Sequence, residues 1–223
     1  MYYDKQNWDQ SILLESQAAD PDGISLASTY SAGELPLNGA LTSGGSYTNN
    51  IGNFITIVCG GDETANIFTI TGKDQAGRTW IVNSPGANAG TVTIDVPFVT
   101  ISSIVMEDNA AGNVSIGISA QNATVWIPID KRRQYLMLGM DVYVSSGATL
   151  NYTVEYTRQS VRGDLPPTRI FADANLAAET ASGYTSQLEP WTAVRLRFNS
   201  WTTGNAVFET QQADDMHSSY KGY

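Results

Sequence analysis

The sequence is poor in the residues that most often do chemistry. It holds one cysteine, Cys59, and one histidine, His217, among 223 residues. A single cysteine excludes an internal disulfide framework and a cysteine-rich zinc site. A single histidine removes most metal-site and histidine-base mechanisms. Charge is scarce too, with Asp, Glu, Lys and Arg making 15% of the chain against roughly a quarter in an average domain. Basic residues are rarest in the first part: residues 1–130 carry 13 acids and 3 bases, whereas 131–223 carry 9 of each. A sequence-independent grip on nucleic acid needs clustered Lys and Arg, so direct nucleic-acid binding is not expected. No apolar run approaches the roughly 18–20 residues of a membrane span. The start, Met1 to Asn7, has no basic stretch followed by an apolar core. The sequence therefore reads as having neither a membrane anchor nor a secretion signal.

What is present is apolar and aromatic. Hydrophobic residues make 42%, with 5 Trp, 11 Tyr and 6 Phe, which opposes disorder and suffices for a substantial core. The whole net charge of −10 falls in residues 1–130. The later basic residues, Lys131, Arg132, Arg133, Arg158, Arg162, Arg169, Arg195 and Arg197, are scattered and read as solvated strand faces. The asymmetry suggests two regions with complementary faces in a homo-oligomer or a larger assembly.

The hydrophobic pattern predicts an all-β protein: two consecutive antiparallel β-sandwich (jelly-roll or Ig-like) domains behind an extended N-terminal arm. The boundaries are an arm over 1–34, domains over 35–120 and 121–212, and a polar tail over 213–223. The arm reads as one short helical or turn-like piece followed by the turn Asp20-Pro21-Asp22-Gly23. Runs rich in β-branched residues, such as Phe54 to Cys59 and Ile67 to Thr71, are bounded by Gly and Asn, and Thr91 to Val96 alternates with period two. Pro97 separates two runs, since proline is excluded from a central strand. In the second half, Tyr135 to Val144 and Ala148 to Thr157 flank a hairpin turn at Ser145-Ser146-Gly147. Ala193 to Phe198 pairs with Asn205 to Thr210 across Ser200–Gly204, and Ala174 to Ala181 reads as one or two helical turns. No βαβ alternation occurs, which disfavours a parallel-sheet enzyme fold.

An ordered series of segments carries a resemblance. Phe68 to Gly77, Gly86 to Val92, Phe98 to Ile104 and Gly112 to Gly117 follow one another, then Trp126 to Asp130, Tyr152 to Thr157 and Pro190 to Leu196. The series, over roughly residues 35–212, resembles a β module in structural proteins of tailed bacteriophages. The resemblance implies a non-enzymatic virion component without cofactors, made in the host cytoplasm. Capsid decoration or cement, or a head–neck accessory role, is the expectation. The implied partners are the major capsid protein or neck and tail proteins, together with further copies of the chain. The alternative is a carbohydrate-binding fibre or adhesin module that recognises a host glycan.

The candidate functional residues are contact residues. Tyr2, Tyr3, Trp8, Ile12 and Leu13 lie in an arm with no core of its own to hide them. Trp201 sits in the expected turn Ser200–Gly204, where it is read as an interface anchor or a sugar-stacking platform. Trp80, Trp126 and Trp191 fall in or beside strands and read as core. Cys59 lies inside an apolar run and reads as buried, and His217 as an exposed tail residue. The acid pairs Asp62/Glu63, Glu107/Asp108 and Asp214/Asp215 are sequence neighbours that point apart, unlike two carboxylates facing across a cleft.

Overall fold

The computed structural model describes residues 10–129, 137–161, 165–189 and 191–213. They form an all-β structure of antiparallel sheets, with no helix among the described residues. The first sheet contains β2 (Asp20–Ser28), β3 (Gly33–Glu34), β4 (Thr42–Ser43), β5 (Ser46–Cys59), β6 (Ile67–Asp74), β7 (Thr79–Pro85), β8 (Thr91–Met106) and β9 (Val114–Ile118). Its order is β2-β9-β5-β8-β6-β7, with β3 on β8 and β4 on β5. The second sheet joins β1 (Gln10–Leu14), β17 (Ala206–Ala213), β12 (Met137–Val144) and β15 (Gly183–Gln187), in that order. The third joins β10 (Asn122–Ala123), β16 (Ala193–Thr203), β13 (Thr149–Thr157) and β14 (Ile170–Ala172), with β11 (Ile127–Pro128) also on β16.

The first sheet closes around its core because β5 and β8, of 14 and 16 residues, bend. Opposite β6, the register of β8 slips twice, between the pairs Thr71–Ser103 and Gly72–Ile101 and again between Lys73–Thr100 and Asp74–Phe98. Each bulge reverses which face the next side chain takes. Phe98, Ile101, Ile104 and Met106 therefore all point into one core, although three-residue steps separate the first three. Gly72 sits against this kink, where a Cβ would lie 2.2 Å from the Thr100 carbonyl oxygen. Pro97 does not end a strand as the sequence suggested. It lies inside β8, where the β5 pairing lapses between Thr48–Thr100 and Asn53–Phe98 and shifts again before Ile55–Ile94, so a missing N–H costs no ladder bond. Ile55, Ile57, Phe68, Ile70 and Trp80 fill the rest of this core, each contributing about 1.5–3 kcal/mol by burial. At the β6–β7 turn the buried Asp74 carboxylate accepts from the Ala76 and Arg78 N–H groups, both at 3.0 Å, and from the Trp80 indole at 2.8 Å.

The second and third sheets face each other across a second core that includes Met140, Val142, Tyr152, Val154, Leu196, Phe198 and Phe208. Two expected hairpins prove to be arches. β12 and β13 do not pair with each other across 145–147, nor do β16 and β17 across 204–205; each link crosses from one sheet to the other. Successive strands carry apolar residues for opposite walls of one core, so the chain turns over the sandwich end. The arches brace each other: the Ser145 N–H donates to the Asn205 carbonyl and the Asn205 N–H to Ser145 Oγ, both at 3.0 Å. Gly204 takes φ 87° here, and a Cβ would lie 2.4 Å from that of Ala148. The expected helical turns at 174–181 are absent as well. That stretch is a turn and bends, closed at Asp173–Leu176, and reciprocal hydrogen bonds between Tyr152 and Glu179, at 2.8 and 2.9 Å, pin its end beside β13.

The stretch read as an arm is strand wherever it pairs. β1 is the edge of the second sheet, against β17, and β2 is the edge of the first, against β9. Asp20 to Gly23, read as a turn, opens β2. Between β1 and β2 the chain crosses the junction of the two cores. Ser16 Oγ donates to the Ala120 carbonyl at 2.8 Å, Asn122 Nδ2 to the Glu15 carbonyl at 2.9 Å, and Asn49 Nδ2 to Gln17 Oε1 at 2.7 Å.

Candidate interaction surfaces

The outer face of the third sheet is polar and covered. Along β13 and β16, Glu155 pairs across with Arg195 and Thr153 with Arg197. Arg195 is fully buried. Its Nε and Nη2 both reach Glu155 Oε2 at 2.7 Å, and Nη2 also reaches Asp95 Oδ2 at 2.7 Å. Asp95 belongs to β8 of the first sheet, in the bulged stretch opposite Phe54, and its backbone carbonyl accepts from Arg195 Nη1 at 3.3 Å. The bulge aims a carboxylate and a carbonyl outward at one guanidinium. Trp126 and Phe54 lie 4.5 and 5.9 Å from that guanidinium. Arg197, partly exposed, adds a 3.3 Å contact to Glu155 Oε1 and a 3.8 Å contact to Asp95. Arg195 is thus no solvated strand residue: it bolts the two cores together. A permanently charged group with donors only, buried between two carboxylates, serves as a structural tie.

The outer face of the second sheet is the opposite. Leu13, Val207 and Tyr143 stand side by side across β1, β17 and β12. The next row is Ser11, Glu209, Asp141 and Tyr184. Leu13 is 50%, Tyr143 68%, Tyr184 81% and, beyond β15, Leu188 78% exposed. Met137 adds a further exposed side chain on this sheet. Large apolar side chains exposed together on one sheet face fit a contact surface. Asp141 and Glu209 place two acids in their midst.

The residues singled out from the sequence separate as follows. Ile12 points inward onto the second core and Leu13 outward onto the apolar face. Trp201 lies within β16, paired with Leu150, before any turn. It is half-buried against the second core, and its indole N–H donates to the Gly204 carbonyl at 2.7 Å. Tyr2, Tyr3, Trp8, His217, Asp214, Asp215 and the basic runs at 131–133 and 162 lie outside the described residues. Cys59 is buried; burial raises its thiol pKa, and the Ala87 N–H points at its sulfur from 3.4 Å. Glu63 is buried too, its carboxylate accepting from the Ala111 and Gly112 N–H groups and from Asn66. Asp62 instead turns to Thr64, whose hydroxyl and N–H lower its pKa. Among the described residues no group of three or more His, Cys, Asp or Glu is placed to hold a metal ion, and no helix is long and apolar enough to cross a membrane. Sequence reasoning missed Tyr184, Leu188 and Phe171, which sit in short edge segments too brief to show an alternating pattern.

The fold defines an all-β protein of stacked antiparallel sheets joined by a buried ion cluster. No protein family and no curated protein matches the chain. A solved structure, the crystal structure of the STIV MCP, a viral major capsid protein, aligns over 92% of this chain and 96% of that one, with 11% identity and a TM-score of 0.20. A superposition that loose transfers neither topology nor role.

Proposed function

We propose that the protein is a non-enzymatic structural component of a virion, a capsid decoration or head–neck accessory protein of a tailed phage that acts through protein–protein interfaces. The observation that carries this reading is the set of exposed apolar side chains on the outer face of the second sheet, left uncovered by the described residues and built on strands fixed by the second core. The segment series that resembles phage structural proteins supplies the setting. The occupant we assign to this face is a capsid, neck or tail subunit with an apolar surface rimmed by Lys or Arg. Asp141 and Glu209 ask for basic partners, and an isologous pairing of two copies would bring these acids together. In this reading residues 35–120 and 121–212 act as two units, and the stretch before them ties both. Mechanism here means buried interface area, not bond chemistry.

The test is co-sedimentation of the purified chain with particles lacking it, beside light scattering of the chain alone. Binding that a Tyr143→Ser/Tyr184→Ser variant loses, with its fold intact by circular dichroism, is the expected result. Saturable self-association through this face would replace the assigned occupant by a second copy. A chain that neither binds particle proteins nor self-associates overturns the reading.

A further inference from the structure

At one end of the second core, three rings stack toward the surface. Phe171 on β14 pairs with Tyr156 on β13, their ring centroids 5.6 Å apart and their planes inclined by 19°. Tyr156 lies 3.7 Å from the Trp191 ring, and the Arg158 guanidinium stands 4.8 Å over Trp191. Arg158 is in turn paired with Glu189 at 2.9 Å. Trp191 is buried, Tyr156 half-buried and Phe171 46% exposed. The outermost ring is therefore backed by two others that fix its tilt.

Beside Phe171 lies a groove of about 560 Å³ lined by Arg158, Gln159, Thr168, Arg169 and Phe171, a size ordinary for small-ligand sites. Its wall is held by local bonds. Gln159 Oε1 accepts from the Thr168 and Arg169 N–H groups at 2.6 and 2.7 Å, and the Thr157 hydroxyl donates to the Arg169 carbonyl at 2.8 Å. Arg169 makes no ion pair among the described residues. The groove thus combines a braced aromatic platform, two guanidinium groups and a hydroxyl.

We propose that this groove binds a glycan unit bearing a single carboxylate, with the sugar's C–H face on Phe171 and its carboxylate on Arg169, the guanidinium not held by an acid among the described residues. The guanidinium fork matches a carboxylate, and the exposed Thr168 hydroxyl, which accepts from Gln159 Nε2 at 3.3 Å, keeps a second acceptor site for a ring hydroxyl. A bare phosphate offers no apolar face to lie on Phe171. A nucleic-acid strand bears a charge at every unit, more than the two guanidinium groups lining this groove can match. The inference stands apart from the virion reading, since it uses another surface and a ligand of another kind.

Calorimetric titration of the full chain tests it, with a glucuronate-containing disaccharide, its neutral glucose counterpart and a dinucleotide as probes. The expected result is saturable binding of the glucuronate disaccharide and at least about tenfold weaker binding of the neutral one. Phe171→Ala and Arg169→Gln each weaken the acidic probe by about tenfold or more. Tyr184→Ser, on the opposite sheet, leaves its binding unchanged. Unaltered melting temperatures of the variants separate loss of binding from loss of fold. No saturation by the acidic probe at about 10 mM, a range far weaker than specific recognition, overturns the proposal. Equal binding of the neutral sugar, or tighter binding of the dinucleotide, overturns it as well.

Discussion

The paired sheets of the second core present two outer faces that break the usual rule in opposite directions. On the third sheet, Glu155 and Arg195 are buried beneath the first sheet. On the second sheet, Leu13, Tyr143 and Tyr184 meet water. Charge is inside because each charged group there has found a counterpart; apolar side chains are outside because none of the described residues covers them. The contrast shows that burial in this molecule follows partnership. A covered face tolerates ions once a bulge delivers Asp95, and an open face leaves its rings in water.

The sharpest way to break the contrast is Arg195→Met. It strands Glu155 with only the 3.3 Å contact from Arg197 and leaves Asp95 without its short bond. Losing one member of a buried ion group costs about 3–5 kcal/mol, read as a lower midpoint in urea unfolding. Adding Glu155→Met and Asp95→Asn removes the orphaned carboxylates and recovers part of that loss, because replacing a buried ion group is often near neutral, while the partly exposed Arg197 gives up both its partners. A triple variant no more stable than the single one would mean that the cluster contributes through shape and not through charge.

Next in size is an effect on the inner side of the same strand. Tyr152 is fully buried on the core face of β13 and donates to the Ala181 carbonyl at 2.8 Å. Burial first, and the Glu179 charge second, push its pKa up to about 12 from 10.0. The unfolded chain releases this proton near pH 10 while the folded chain keeps it. The contribution is intact below pH 10 and disappears as pH rises toward 12, an effect on the order of 2 kcal/mol. Unfolding followed between pH 9 and about 12 in wild type and Tyr152→Phe isolates it: the slope of stability against pH is shallower in the variant.

The smallest effect on stability sharpens the comparison from the open side. Tyr143→Ser with Tyr184→Ser changes the unfolding free energy by no more than about 0.5 kcal/mol, as exposed substitutions do, while it removes binding to particles. A large loss of stability would show that the rings serve this fold instead of a partner.

Strand identity was legible in the sequence wherever β-branched and apolar residues ran together, as in Phe54 to Cys59. Strand partnership was not. Nothing in Ser145-Ser146-Gly147 or Thr203-Gly204 tells a hairpin from an arch, since both need a tight turn between two apolar strands. What decides is which wall of the core each strand fills, and that depends on strands distant in the chain. The phase of β8 was hidden for a related reason: its bulges turn a period of two into steps of three. Arg195 was misread because Val194-Arg195-Leu196-Arg197-Phe198 alternates as a half-solvated strand does, and the cover over its polar side comes from residue 95. Ile12 and Leu13 were read together as contact residues, and the sequence did not reveal that they face opposite ways, Ile12 into the core and Leu13 outward.

The pairing of β1 with β17 reaches beyond the static architecture. Gln10 is matched with Thr210 and Leu14 with Ala206, so an edge of the second sheet is closed by segments from opposite ends of the described chain. As the polypeptide leaves the ribosome, β1 emerges before β17 and waits for it while all the strands between them are made. The first sheet completes its own ladder once β9 appears, well before that. Synthesis thus orders the assembly: the first core sets early, and the face with the exposed tyrosines is finished last. Closing so long a loop is slow relative to local pairing, which keeps that surface incomplete until β17 has been made.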